Sequence, residues 1–146
     1  DKERFDLNIY KSLAAANGGS SPVVKSTAYM KDAKAPSYDY SIISNSGTSK
    51  EAITEGKTVV FTITRSGSGT ESKVYGNTIN KSAITGDDYE GFSDKEIIFK
   101  ANQKTVTIEI PTKVDLWKET NEFFNLELYK NVATKATIAT GSAFLN

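Results

Sequence analysis

The chain has 146 residues and no cysteine or histidine. Without cysteine, disulfides and thiolate metal centres are excluded, while the compartment stays open because many bacterial surface proteins also avoid cysteine. Without histidine, the commonest general base and the commonest zinc ligand are missing. An excess of either charge is lacking too: 18 Lys and Arg balance 18 Asp and Glu. No block of like charge stands anywhere, so nothing points to nucleic acid or an anionic membrane surface. No apolar run reaches the roughly eighteen residues that a spanning helix needs. No signal-peptide pattern is visible either, because "DKERFDL" opens already inside a strand pattern. The sequence reads as a piece of a longer protein.

What is present is period-two alternation. "TVVFTITRS" places Val59, Phe61 and Ile63 on one face and Val60, Thr62 and Thr64 on the other. "TVTIEI" turns Val106, Ile108 and Ile110 inward, and "FNLEL" does the same with Phe124, Leu126 and Leu128. Turn chemistry falls between such runs at "SNSGTS", "RSGSGTES", "TGDDYEG", "KANQK" and "VATKA". There Gly and Asn supply positive φ and Asp accepts local backbone bonds. Strands are predicted near 38–45, 57–65, 72–80, 95–100, 104–110, 121–130 and 135–145. That spacing predicts an all-β, antiparallel sandwich of about seven strands.

The two ends of the chain repeat each other. "ERFDLNIYK" from Glu3 matches "EFFNLELYK" from Glu122 in five of nine positions. Further on, Ala28, Tyr29 and Met30 match Ala143, Phe144 and Leu145. The offset is 119 residues at the first match and 115 at the second, which one shorter loop explains. Residues 1–34 therefore read as the closing hairpin of a preceding repeat (strands 3–11 and 23–31) plus a linker, and 35–146 as the next module. The hairpin turns Phe5, Leu7 and Ile9 to one face. An uncovered face of that kind invites packing on the edge of the following domain or self-association with another molecule, or else replacement of strands 121–145 in a neighbour; the short loop 111–120 favours the packing.

A series of motifs in 36–146 resembles the Calx-beta domain family: "AITEGKTVVFTITRSGSG", then "ITGDDYEGFSDKEIIFKANQKTVTIEI", then "DLWKETNEFFNLEL" and finally "ATGSAFLN". The resemblance implies an immunoglobulin-like sandwich, commonly found in tandem in extracellular or membrane-associated proteins. It also implies calcium (Ca2+) at one pole of the sandwich in some members. Matched motif by motif, the implied metal ligands are Glu55, Asp88, Asp115 and Glu119, with Asp87 beside them and Glu122 as a weaker match. Calcium takes six to eight oxygens at about 2.3–2.6 Å, which several loops at one pole can supply. Two departures weaken the match. "KVDLW" carries Val114 and Leu116 where binding members often carry Asp, and the acidic residues that follow the family's last strand would lie beyond Asn146. Calcium is thus expected to be held weakly or not at all by this piece.

Each of these residues also has a plainer role, since "TGDDY" is good turn chemistry without any metal. Catalysis finds little support. There is no nucleophile-elbow spacing, and "GSGTES" lacks the Lys and the following helix of a phosphate loop, so it reads as a hairpin turn. The functional expectation is a non-enzymatic, extracellular or cell-surface repeat that binds calcium, mediates adhesion, or both. Its partners would be neighbouring repeats of the same protein. Two rivals remain: a metal-free spacer, and an adhesin tip using Tyr75, Tyr89 and Trp117 as exposed contacts.

Overall fold

The computed structural model describes residues 2–12, 16–19, 21–31, 36–114 and 121–146. The chain divides into two compact units, Asp1–Ala35 and Pro36–Asn146.

The first unit is a two-stranded antiparallel sheet, β1 (Lys2–Ile9) with β2 (Val24–Lys31). Its alternation separates two faces. One carries Phe5, Leu7, Ile9, Val24 and Met30, all substantially exposed. The other is polar: Arg4 forms an ion pair with Asp6 at 2.6 Å, and the Thr27 hydroxyl donates to Asp6 across the strands at 2.7 Å.

The second unit is a sandwich of seven strands. They are β3 (Tyr40–Ser44), β4 (Thr58–Arg65), β5 (Ser72–Asn80), β6 (Lys95–Phe99), β7 (Thr105–Pro111), β8 (Glu122–Tyr129) and β9 (Thr137–Leu145). One sheet has the order β3-β4-β7 and the other β6-β5-β8-β9, with every named strand pair antiparallel. One 3-10 turn, Ser49–Glu51, interrupts the loop after β3.

Period two governs the core. Val59, Phe61 and Ile63 in β4, Ile108 and Ile110 in β7, and Phe124, Leu126 and Leu128 in β8 are all buried, and Val106 packs partly buried against them. Burying each such side chain contributes roughly 1.5–3 kcal/mol. The alternation in β4 runs one step further than its apolar residues, so Arg65 also points inward and is buried. It sits over the Tyr38 ring at 4.3 Å and near Phe99 at 5.5 Å.

Two expectations need correction. The segment "GSGTES" is not a hairpin turn: it carries the chain from β4 in one sheet to β5 in the other. Arg65 fixes that crossing, since its Nη1 donates to the Thr70 carbonyl at 2.8 Å and to Ser72 Oγ at 2.9 Å. Tyr89 is not an exposed contact either. It is wholly buried and stacks on Phe124 with ring centroids 3.9 Å apart. Its hydroxyl donates to Asn80 Oδ1, so the polar tip is satisfied and the ring becomes core.

Candidate functional site

The strand directions bring the end of β3, the start of β4, the end of β5, the end of β7, the start of β8 and the end of β9 to one pole. The loops there are tied together through the backbone. Residues 53–55 run parallel to the end of β9: Ile53 N donates to the Phe144 carbonyl, Asn146 N to Ile53, and Glu55 N to Asn146 at 3.1 Å. One turn later the Lys57 carbonyl accepts from both the N–H and the hydroxyl of Thr112. Lys113 N then donates to the Asp88 carbonyl at 2.8 Å. Glu55 and Asp88 are thereby carried by loops joined through 57, 112 and 113.

Glu55-Gly56 makes the sharp step into β4. Gly56 has φ +77°, a conformation that favours glycine, and a Cβ there would also lie 2.6 Å from Cγ2 of the exposed Val114. Glu55 is partly buried. Asp88 is buried, and its role in the "TGDDY" turn is explicit: Oδ2 accepts from Ile84 N at 2.6 Å while its own N–H donates back to the Ile84 carbonyl. One carboxylate oxygen is thus committed to the backbone. Asp87 is exposed. Asp115 and Glu119 lie outside the described residues.

A cation that the motif matching did not single out stands at this pole. The Lys113 ammonium donates to the Gly86 carbonyl, inside the turn that carries Asp87 and Asp88. Its position two residues past β7, next to an acidic loop, is the sequence signal for it. Among the described residues no group of three or more acidic side chains comes together that could hold a metal. Glu55 and Asp88 alone fall short of the six to eight oxygens calcium takes.

A second polar cluster lies on the sheet of β5 and β8. The Tyr129 hydroxyl donates to Asp94 and lies 2.7 Å from Asn77 Oδ1, and Lys135 pairs with Asp94 at 2.8 Å. The ammonium of Lys135 first, and then the Tyr129 hydroxyl, hold the Asp94 carboxyl below its usual range. Burial, reinforced by Asp94, pushes the Tyr129 phenol up to about 12.

A family model for the Calx-beta domain matches residues 42–146. Among solved structures the chain is similar to the apo form of the Calx CBD1 domain. The identity is 16%, covering 73% of this chain and 96% of that one, with a TM-score of 0.55. It is also similar to the calcium binding domain CBD12 of CALX1.1, at 17% identity over 76% of this chain and 45% of that one, with a TM-score of 0.54. CBD12 from CALX1.2 gives 16% identity over 72% and 43%, with a TM-score of 0.55. The chain thus spans less than half the length of the two CBD12 structures. At such identities the likeness is one of fold. No curated protein sequence is matched.

Proposed function

The chain belongs to the Calx-beta domain family, and from that premise we propose that it is a non-enzymatic, extracellular repeat of a larger surface protein that binds calcium weakly at the pole just described. The match over 42–146 carries this reading. Glu55, Asp88, Asp115 and Glu119 are the ligands assigned to the ion, with Asp88 contributing the oxygen left over from the Ile84 bond. The same reading includes an adhesive role, and its partners are neighbouring repeats of the same protein.

The second reading is a metal-free spacer, and one observation favours it. Lys113 already places a positive charge in the Asp87-Asp88 turn. An ammonium held in that turn adds a positive charge near the pole, which opposes the approach of a second cation.

Melting curves in millimolar calcium and in chelator separate the two. Extracellular calcium modules bind at about 0.1–1 mM. At ten times the dissociation constant, linkage adds roughly 1.4 kcal/mol of stability. The wild type should therefore melt slightly higher in calcium, Lys113→Ala should show a larger rise, and Asp88→Ala with Asp115→Ala should show none. If neither the wild type nor Lys113→Ala responds to calcium, the spacer reading replaces the calcium one.

A further inference from the structure

The hairpin β1–β2 and the closing hairpin β8–β9 share more than sequence. Their registers are the same under the repeat. Phe5 faces Ala28 as Phe124 faces Ala143, Leu7 faces Ser26 as Leu126 faces Gly141, and Glu3 faces Met30 as Glu122 faces Leu145. The polar faces agree as well. The Thr27 hydroxyl donates to Asp6 at 2.7 Å, and at the matching positions Ser142 donates to Asn125 at 2.9 Å. A one-residue slip would invert both faces, so a shared register with a shared cross-strand bond marks one structural unit present twice.

The two copies differ in burial. Phe124, Leu126 and Leu128 are 0% exposed against the facing sheet, whereas Phe5, Leu7 and Ile9 are 53%, 57% and 47% exposed. What covers this surface in the second copy is known: the body formed by β3 to β7, which offers the edge of β5 to β8 and the inner face of β3-β4-β7 to the apolar side chains.

One position bears directly on how well the hairpin would fit the body in this chain. Gly141 of β9 lies so close to β3 that a Cβ there would stand 2.5 Å from Ile42 Cγ2 and 2.8 Å from Ile42 Cβ. The matching residue in β2 is Ser26, which has that Cβ and a hydroxyl besides. The obstructing atoms belong to a β-branched side chain at its root, which cannot swing aside as a long flexible one could.

We propose that β1–β2 is the closing hairpin of a different Calx-beta body, that of a neighbouring non-identical repeat, and that Ser26 makes it a poorer closer of the body in this chain than β8–β9. Its partner is a five-stranded Calx-beta body whose β3 counterpart has glycine at the Ile42 position or stands farther from the hairpin. That difference disfavours exchange of hairpins between adjacent repeats, a standing hazard where tandem modules share one slot. The inference rests on the repeat part of the proposed function and not on calcium.

The test extends the full chain. Residues 36–119 are fused directly before Asp1, so that the hairpin follows a copied body at its natural spacing, and Ser26→Gly removes the disadvantage. A control tandem carries residues 122–145 in place of 3–30, which shows that the fusion itself permits two modules. In the Ser26→Gly tandem, the amides of β1 and β2 should exchange at least about a hundredfold more slowly than in the single chain. With Ser26 restored, the added module should melt at least about 4 °C lower. Hairpin amides that exchange as fast as in the single chain, while the control tandem protects its own, would overturn the hairpin assignment. Equal melting of the tandems with and without the Ser26→Gly change would overturn the role given to Ser26. The C-terminal module keeps its own β8–β9 in every case, so its response to calcium reports separately on the calcium reading.

Discussion

Gly141 and Gly76 both lie in strands of the larger sheet, both are buried, and neither has positive φ, so they offer a matched pair for substitution by alanine. What a Cβ would meet differs. At Gly76 it would lie 3.1 Å from Ile97 Cδ1 and 3.3 Å from Leu126 Cδ1, the ends of flexible side chains that can shift by a few tenths of an ångström. At Gly141 it would lie 2.5 Å and 2.8 Å from the Cγ2 and Cβ of Ile42, so β3 itself must move. Moving β3 strains its neighbours, because Ser44 Oγ donates to the Ser142 carbonyl at 2.7 Å and Phe144 N donates to Ser46 at 2.9 Å. Alanine gains about 0.5–1 kcal/mol over glycine in either strand by restricting the unfolded chain. Overpacking costs typically about 1–3 kcal/mol. Gly76→Ala should therefore come out near neutral, and Gly141→Ala should be destabilised by up to about 2 kcal/mol. Urea unfolding of the two variants beside the wild type measures this, with an unchanged slope confirming that the same surface is exposed. If Gly141→Ala proves as stable as Gly76→Ala, β3 yields easily, and the reasoning that disfavours Ser26 in this body fails with it.

Stability against pH should bend at both ends through the Asp94 cluster. The Asp94 carboxyl is held below its usual range in the fold, so its contribution is full above the unfolded value and lost as pH falls through the carboxylate range; Asp94→Asn should flatten that acid limb. Tyr129 is raised from 10.0 to about 12, so between these values the unfolded state gives up a proton that the fold retains. Stability then declines from about pH 10 upward, and Tyr129→Phe should make that decline shallower in melts taken across the alkaline range, the buried Tyr89 contributing the same sign. Arg65→Met should cost less than about 1.5 kcal/mol in the same urea assay, because the buried guanidinium has no hydrogen-bond partner at Nε or Nη2 among the described residues and carries a desolvation cost that Met does not. A loss above about 3 kcal/mol would instead show that the stack on Tyr38 and the bonds to Thr70 and Ser72 outweigh that cost.

Period two and turn chemistry are properties of neighbouring residues, and what depends on them is legible in the sequence. The seven strands and the inward residues of β4, β7 and β8 follow from alternation alone, and so does Arg65 when the alternation is carried one step past Ile63. Which sheet a strand joins is a different kind of fact. Nothing in "RSGSGTES" distinguishes a hairpin from a crossing between sheets, because either needs glycine and a polar turn; the choice is made by where β5 finds its partners, β6 and β8, far along the chain. Tyr89 misleads for a similar reason. An aromatic residue in an acidic turn looks like a surface contact until Phe124 is brought under it from 35 positions away.

The pole shows the same division more sharply. Sequence motifs can count carboxylates, but a metal site depends on how many carboxylate oxygens remain after the protein has used its share. Asp88 Oδ2 already accepts from Ile84 N within its own turn. Lys113 has brought a positive charge to the same turn through a contact with Gly86, which lies 27 residues away in the chain. Neither contact is legible in the motif itself, although both shape how the pole presents its oxygens and its charge. The converse holds for the hairpins. There the sequence already contains the decisive difference, serine at one repeat position and glycine at the other, but its meaning is purely steric. Only the placement of Ile42 against Gly141 turns a one-residue difference into a preference for which body the hairpin closes.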